Sequence, residues 1–212
     1  MKNYFIAGTD AGVGKTYFIT SLLRMLKEQG VNASGFKPVA CGDRTEARNM
    51  REAMGQATLS LECINPVYLR SVAEPMMAAE LERKEISAAS IVQAYEELSA
   101  QYETVLVEGC FGWATPLAEG LSMADVAKAL NLPVLLVAEN RCGAAGQVSL
   151  VLAAIKQCGL TCAGVVLNHP AEEWDTAAVT NKDLIERTCG VPVLASLIKG
   201  DEVDSELMDV LA

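Results

Sequence analysis

The sequence predicts a doubly wound α/β fold, a mostly parallel sheet with helices on both faces, as one domain over residues 1–212. Three observations predict it. Apolar runs bounded by glycine, proline or an acid alternate with stretches of helical spacing along the whole chain, the β-α alternation of a parallel sheet. Several of those runs are continuously apolar, as strands covered on both faces require. The first βα turn, Gly8-Thr9-Asp10-Ala11-Gly12-Val13-Gly14-Lys15-Thr16, fits G-x-x-x-x-G-K-[ST] between a strand and a helix.

The elements follow in order. Tyr4–Ala7 reads as a buried strand, and Tyr17–Glu28 as a helix with Phe18, Leu22, Leu23, Met25 and Leu26 on one face. Between them, backbone N–H groups and the helix dipole converge on an anion site. Lys15 is placed along β/γ-phosphates and the Thr16 hydroxyl on Mg²⁺. Gly30 ends the helix, and Val31–Phe36 reads as the next strand. Pro38 turns the chain out of the sheet, which puts Lys37 near the phosphate loop at the carboxyl end of that strand; the plainer alternative is a solvated lysine. Asp43–Gly55 reads as a helix capped by Asp43, with Glu46 at the capping-box position; the alternative sets one of these acids against Thr16 as a metal carboxylate.

Leu59–Glu82, broken by Pro66 and Pro75, reads as an irregular flap or short helices, and Ser87 is expected to cap a helix through Gln101. Thr104–Val107 is a buried strand whose tip carries Glu108, either a Mg²⁺-holding acid beside the phosphate loop or a capping carboxylate. Gly109-Cys110-Phe111-Gly112 then lets backbone approach a ligand closely. Helix at Ser122–Leu130, strand at Pro133–Ala138, helix at Gly143–Gln157 and strand at Thr161–Leu167 follow. Asn168 at the last strand's tip either reads a purine edge or belongs to an Asn-His-Pro turn, and His169 reads as a loop residue. Asp175–Cys189 (helix), Val191–Ser196 (strand) and Glu202–Leu211 (acidic helix) complete the chain.

Composition bounds the function. Hydrophobic residues make up 51% of the chain, enough for a large core. With 17 basic and 27 acidic residues the net charge is −10, which argues against nucleic-acid and anionic-membrane surfaces but not against a nucleotide held by a local nest of N–H groups. The seven cysteines include no C-x-x-C pair and read mostly as buried, reduced thiols of a cytoplasmic protein. Neither an export signal nor an apolar run near 18 residues is visible.

Three motifs together resemble one family. Gly8-Thr9-Asp10 with Val13-Gly14-Lys15-Thr16, Gly35-Phe36-Lys37-Pro38-Val39-Ala40 with Gly42, and Val107-Glu108-Gly109 with Gly112-Trp113 and Pro116-Leu117 look like dethiobiotin synthetase, in order and separation. Leu132-Pro133-Val134 and Gly164–Asn168 resemble its later strands. The resemblance implies a P-loop NTPase fold, a homodimer, and ATP, Mg²⁺ and CO₂ used to close a ureido ring on 7,8-diaminononanoate. It implies Lys15 and Lys37 as catalytic residues, with Lys37 and Cys41 also on the substrate. It implies nucleotide contacts from Gly12, Val13, Gly14, Lys15, Thr16, Tyr17, Glu108, Gly109, Cys110, Phe111 and Asn168. Thr16, Glu108 and an acid from the Asp43–Glu46 segment, Glu46 by register, would hold Mg²⁺.

The chain departs from the pattern at Ala11-Gly12, at Cys41 (commonly Ser), at Phe111 (a glycine) and at Gly146 (an Asn). Three rivals share the fold. A partition-type ATPase carries a loop lysine where Asp10 stands; a cobyrinate-type synthetase continues into a glutaminase domain; a nucleotide-binding descendant would bind ATP without turnover.

Overall fold

The computed structural model describes residues 2–170, 175–198, 200, 203 and 207. Six parallel strands form the central sheet in the order β10-β9-β8-β1-β5-β2. They are β1 (Tyr4–Gly8), β2 (Ala33–Phe36), β5 (Thr104–Glu108), β8 (Val134–Glu139), β9 (Cys162–His169) and β10 (Val193–Ile198). Alternation along β1 sorts the two cores. Tyr4 and Ile6 face α1 (Lys15–Glu28) and α2 (Thr45–Met54), whereas Phe5 and Ala7 face the opposite layer. That layer draws its buried residues from α4 (Pro75–Glu82), α5 (Ala88–Ser99), α6 (Met123–Leu130), α7 (Ala144–Gln157) and α8 (Thr176–Cys189). The expected doubly wound class is therefore observed.

Winding starts at β1, which pairs with β5 on one side and β8 on the other. The chain leaves β1 first toward β2 and later toward β8, so a crevice opens above the carboxyl ends of β1, β2 and β5.

Several boundaries differ from expectation. The first helix begins at Lys15 rather than Tyr17, and β2 at Ala33 rather than Val31. Asp43 is not the helix cap: Arg44 holds that position, and Asp43 Oδ1 accepts the Thr45 N–H at 2.7 Å from one residue earlier. Glu46 closes no capping box and turns into the crevice instead. Ser87 stands at the start of α5 without a side-chain capping bond, whereas Ser122 and Asp125 do form a capping box at α6.

The expected irregular flap is ordered. It contains α3 (Leu61–Ile64), β4 (Val67–Leu69) and α4, and β4 pairs in parallel with β3 (Val39–Cys41) as a second small sheet. A short hairpin, β6 (Pro116–Ala118) with β7 (Leu121–Ser122), was also not foreseen. His169 ends β9 as a buried residue rather than lying in a loop. Of the cysteines only Cys110 is fully buried, while Cys63 and Cys142 are exposed; all seven are free thiols. The expected helix at Glu202–Leu211 lies largely outside the described residues. No described helix is long and apolar enough to cross a membrane.

Candidate active site

The phosphate loop spans Gly8 to Thr16 at the top of β1. Gly12 at φ 71° and Gly14 at φ 99° supply the left-handed backbone that turns successive N–H groups inward. Gly14 is also confined: a Cβ there would meet Asn168 Nδ2 at 2.2 Å. The Asn168 amide donates to the Val13 carbonyl at 3.1 Å, so the tip of β9 braces the loop from the side. The Lys15 ammonium folds back over the loop onto the Asp10 carbonyl at 2.9 Å.

Lys37 lies directly after β2. It is not solvated: its side chain is 1% exposed, with Nζ 2.8 Å from Glu108 Oε1 and 2.7 Å from Glu46 Oε2. The Thr16 hydroxyl reaches the same two acids, 2.8 Å from Glu108 Oε1 and 3.3 Å from Glu46 Oε1. The second oxygen of Glu108, Oε2, is buried with no hydrogen-bond partner. Burying an unpaired carboxylate oxygen is costly, and a cation or an ordered water satisfies it. Asp43 is exposed and its carboxylate bonds the start of α2, so of the two candidate acids it is Glu46 that stands beside Thr16.

Electrostatics follow from this packing. Burial works to lower Lys37, but Glu108 and Glu46 outweigh it and hold the ammonium above the ordinary lysine range. Burial raises Glu108, with Lys37 opposing. Lys15 is lowered, first by burial and then by the nearby positive charge of Lys37. Lys15 thus senses the Lys37 charge across the crevice, and added anionic oxygens would relieve it.

The loop after Glu108 lies against the phosphate loop: a Cβ on Gly112 would sit 3.7 Å from Asp10 Cα. The Gly109 carbonyl faces Lys37 Nζ at 3.4 Å, and Trp113 anchors the loop edge-on against Phe5. Phe111 takes φ 50°, so it keeps the backbone a glycine would have adopted and bears the strain. Cys41 stands at the end of β3 and Cys110 just beyond β5; the neighbouring thiol draws Cys41 down and pushes Cys110 up, burial adding to the latter. Tyr17 points elsewhere: its hydroxyl accepts the Gly200 N–H at 3.1 Å, tying α1 to the exit of β10.

Sequence reading missed two residues here. Asn65 and Arg44 pack beneath Lys37, and the only trace of Asn65 in the sequence is an Asn-Pro pair that reads as turn chemistry.

A family model described as an AAA domain matches residues 2–206. An ATP-dependent dethiobiotin synthetase from Akkermansia muciniphila is 46% identical over 211 residues, covering 100% of this chain and 98% of the relative. The chain belongs to the dethiobiotin synthetase family. The synthetase of Bacillus licheniformis is 34% identical over 92% of this chain and 84% of its own. Solved structures share the fold of this dethiobiotin synthetase family member at low identity. A plasmid partition protein from Borrelia burgdorferi superposes with TM-score 0.61 at 12% identity, over 100% of this chain and 97% of that one. The septum site-determining protein MinD from Pyrococcus horikoshii, complexed with Mg-ADP, gives 0.58 at 19%, over 99% and 86%.

Proposed function

We infer that this chain is an ATP-dependent dethiobiotin synthetase, which carboxylates 7,8-diaminononanoate with CO₂ and closes the ureido ring with release of ADP and phosphate. The observation that carries the reading is the Lys37 ammonium buried between Glu46 and Glu108, with both acids on the Thr16 hydroxyl at the mouth of the phosphate loop.

The residues divide the work as follows. N–H groups from Gly12 to Thr16 cradle the phosphates, and Lys15 leaves the Asp10 carbonyl for the β/γ oxygens. Lys37 holds the carbamate formed from one substrate amine and CO₂. The carbamate oxygen attacks the γ-phosphorus in line, the bond to ADP breaks, and Lys37 and Lys15 neutralise charge on the equatorial oxygens. The second amine then attacks the carbamoyl carbon of the mixed anhydride, phosphate leaves, and the ring closes. Each well-placed cation is worth roughly 10²–10³ in rate.

Thr16, Glu46 and Glu108 form an all-oxygen set with one orphaned buried oxygen, which fits Mg²⁺ held by two carboxylates, a hydroxyl and substrate phosphates. When bound, the ion supplies charge neutralisation at the β/γ oxygens. Cys41, half-buried beyond Lys37, is proposed to border the diamine. The exposed apolar side chains Leu150, Val179 and Leu184 on the paired helices α7 and α8 support a homodimer.

The test is ADP release with bicarbonate, with and without diaminononanoate, together with mass detection of the cyclic urea. Diamine-dependent ADP release and the urea product are expected. ATP binding with no diamine-dependent phosphate release would overturn the reading in favour of a nucleotide-binding descendant. The partition-type reading has no comparable support: Asp10 occupies the corner where that class carries lysine, and those structures share only the fold.

A further inference from the structure

Lys37 and Glu46 stand on different elements, one leaving β2 and the other in the first turn of α2, yet their charged atoms are 2.7 Å apart. Something must hold the two backbones in register. The peptide of Lys37 is gripped on both sides: its N–H donates to the Ile64 carbonyl at 2.7 Å, and its carbonyl accepts from Asn65 Nδ2 at 2.9 Å. Asn65 is 0% exposed, and the same amide nitrogen also donates to the Val67 carbonyl at 3.0 Å. Its Oδ1 accepts Arg44 Nε at 3.0 Å, and its backbone carbonyl accepts Arg44 Nη2 at 2.7 Å. Arg44 is the N-cap residue of α2, two positions before Glu46. The guanidinium is fixed in turn by Glu62 at 2.6 Å and by the face of Tyr68, 4.9 Å to the ring centroid.

We propose that the Arg44–Asn65 fork is a positioning device for the synthetase reaction: it references the backbone of Lys37 and the start of the Glu46 helix to one buried amide. Both polar atoms of the Asn65 side chain take part in this link, and the planar guanidinium meets two oxygens of one residue, a geometry lysine cannot reproduce. Neither residue touches the reacting atoms. The inference rests on the reading of Lys37 and Glu46 given above.

The experiment compares R44M, R44K, E46Q and the R44M/E46Q double variant in full-length protein. R44M should lower kcat about 10- to 100-fold with the KM for ATP changed less than about threefold, because a small misplacement of a transition-state group costs rate rather than ground-state binding. R44K, which keeps the charge and the aliphatic stem, should stay impaired by at least about fivefold. In the E46Q background the R44M loss should shrink below about threefold, since residues acting through one another are non-additive. Hydrogen exchange in a peptide spanning 36–48 should quicken in R44M while the 4–16 segment is unchanged. Equal R44M losses in both backgrounds, full activity of R44K, or a fall in melting temperature with no change in kcat would overturn the proposal alone. An E46Q variant with normal kcat and normal Mg²⁺ requirement would instead overturn the reading of Glu46, and the proposal with it.

Discussion

A lysine and a glutamate buried together without solvent are stable only as a pair. Lys37 and Glu108 are such a pair: the acids beside Lys37 override the burial that would otherwise neutralise it, whereas burial still raises Glu108 against the opposing charge of Lys37. Removing one partner leaves the other uncompensated, so K37M should destabilise the fold by about 3–5 kcal/mol. K37M/E108Q should recover most of that loss in denaturant unfolding while remaining inactive. Lys37→Gln should cut kcat far more than ATP affinity, in steady-state kinetics paired with nucleotide binding; equal losses in both would make Lys37 a ground-state anchor. Lys15→Ala should abolish turnover. Asp43→Asn should leave the Mg²⁺ requirement unchanged and Glu46→Gln should raise it, because only Glu46 stands beside Thr16. The residue types at these positions were readable from the motifs. Only register with the family favours Glu46 over Asp43 in the sequence, because Glu46 also occupies a capping-box position there, and local and tertiary roles compete for one carboxylate.

At the scale of elements, the central strands behaved as their apolar runs predict, because a strand covered on both faces has no polar position to confuse the reading. Leu106→Ala in β5, on the α1 face, should therefore cost about 2–5 kcal/mol by denaturant titration. The short helices expected between Leu59 and Glu82 are present as α3 and α4, but the β3–β4 pair was not legible. Those strands are three residues each, too short for periodicity to register. Their order comes from tertiary bonds such as Glu82, which accepts the Ser71 N–H at 2.7 Å and pairs with Lys84 at 2.9 Å. The Lys84 hydrogen bond and the Ser71 N–H hold the Glu82 carboxyl down at about 2, against an ordinary 4.5. A depressed folded value means its contribution is complete above pH 4.5 and is lost as the pH falls toward 2. Glu82→Gln should flatten the acid limb of the stability curve over that window, read by thermal melts at stepped pH. Phe111 belongs at this scale too: the loop after β5 holds its glycine-like turn because Trp113 and the Thr115 hydroxyl, which accepts the Gly112 N–H at 3.0 Å, fix it from both ends.

For the whole molecule, a net charge of −10 surrounds a crevice in which two ammonium groups and a nest of N–H donors face Glu46 and Glu108 at close range. Binding of a polyanion is then governed by the short-range site, and raising salt should weaken ATP binding only modestly. Leu150 on α7 and Val179 and Leu184 on α8 are exposed apolar side chains. Leu150→Asp should shift the proposed homodimer toward monomer in sedimentation velocity; a wild-type chain already monomeric at micromolar concentration would contradict the assembly. From the sequence alone came the parallel α/β class, the phosphate loop and the family, since each is written in contiguous residues whose local chemistry needs no partner to be recognised. Only the tertiary structure decided which acid joins Thr16, that Lys37 is buried rather than solvated, and that Asn65 and Arg44 sit beneath it. Those choices depend on contacts between residues distant in the chain, where nothing local distinguishes a capping acid, a loop lysine or a turn asparagine from parts of a site.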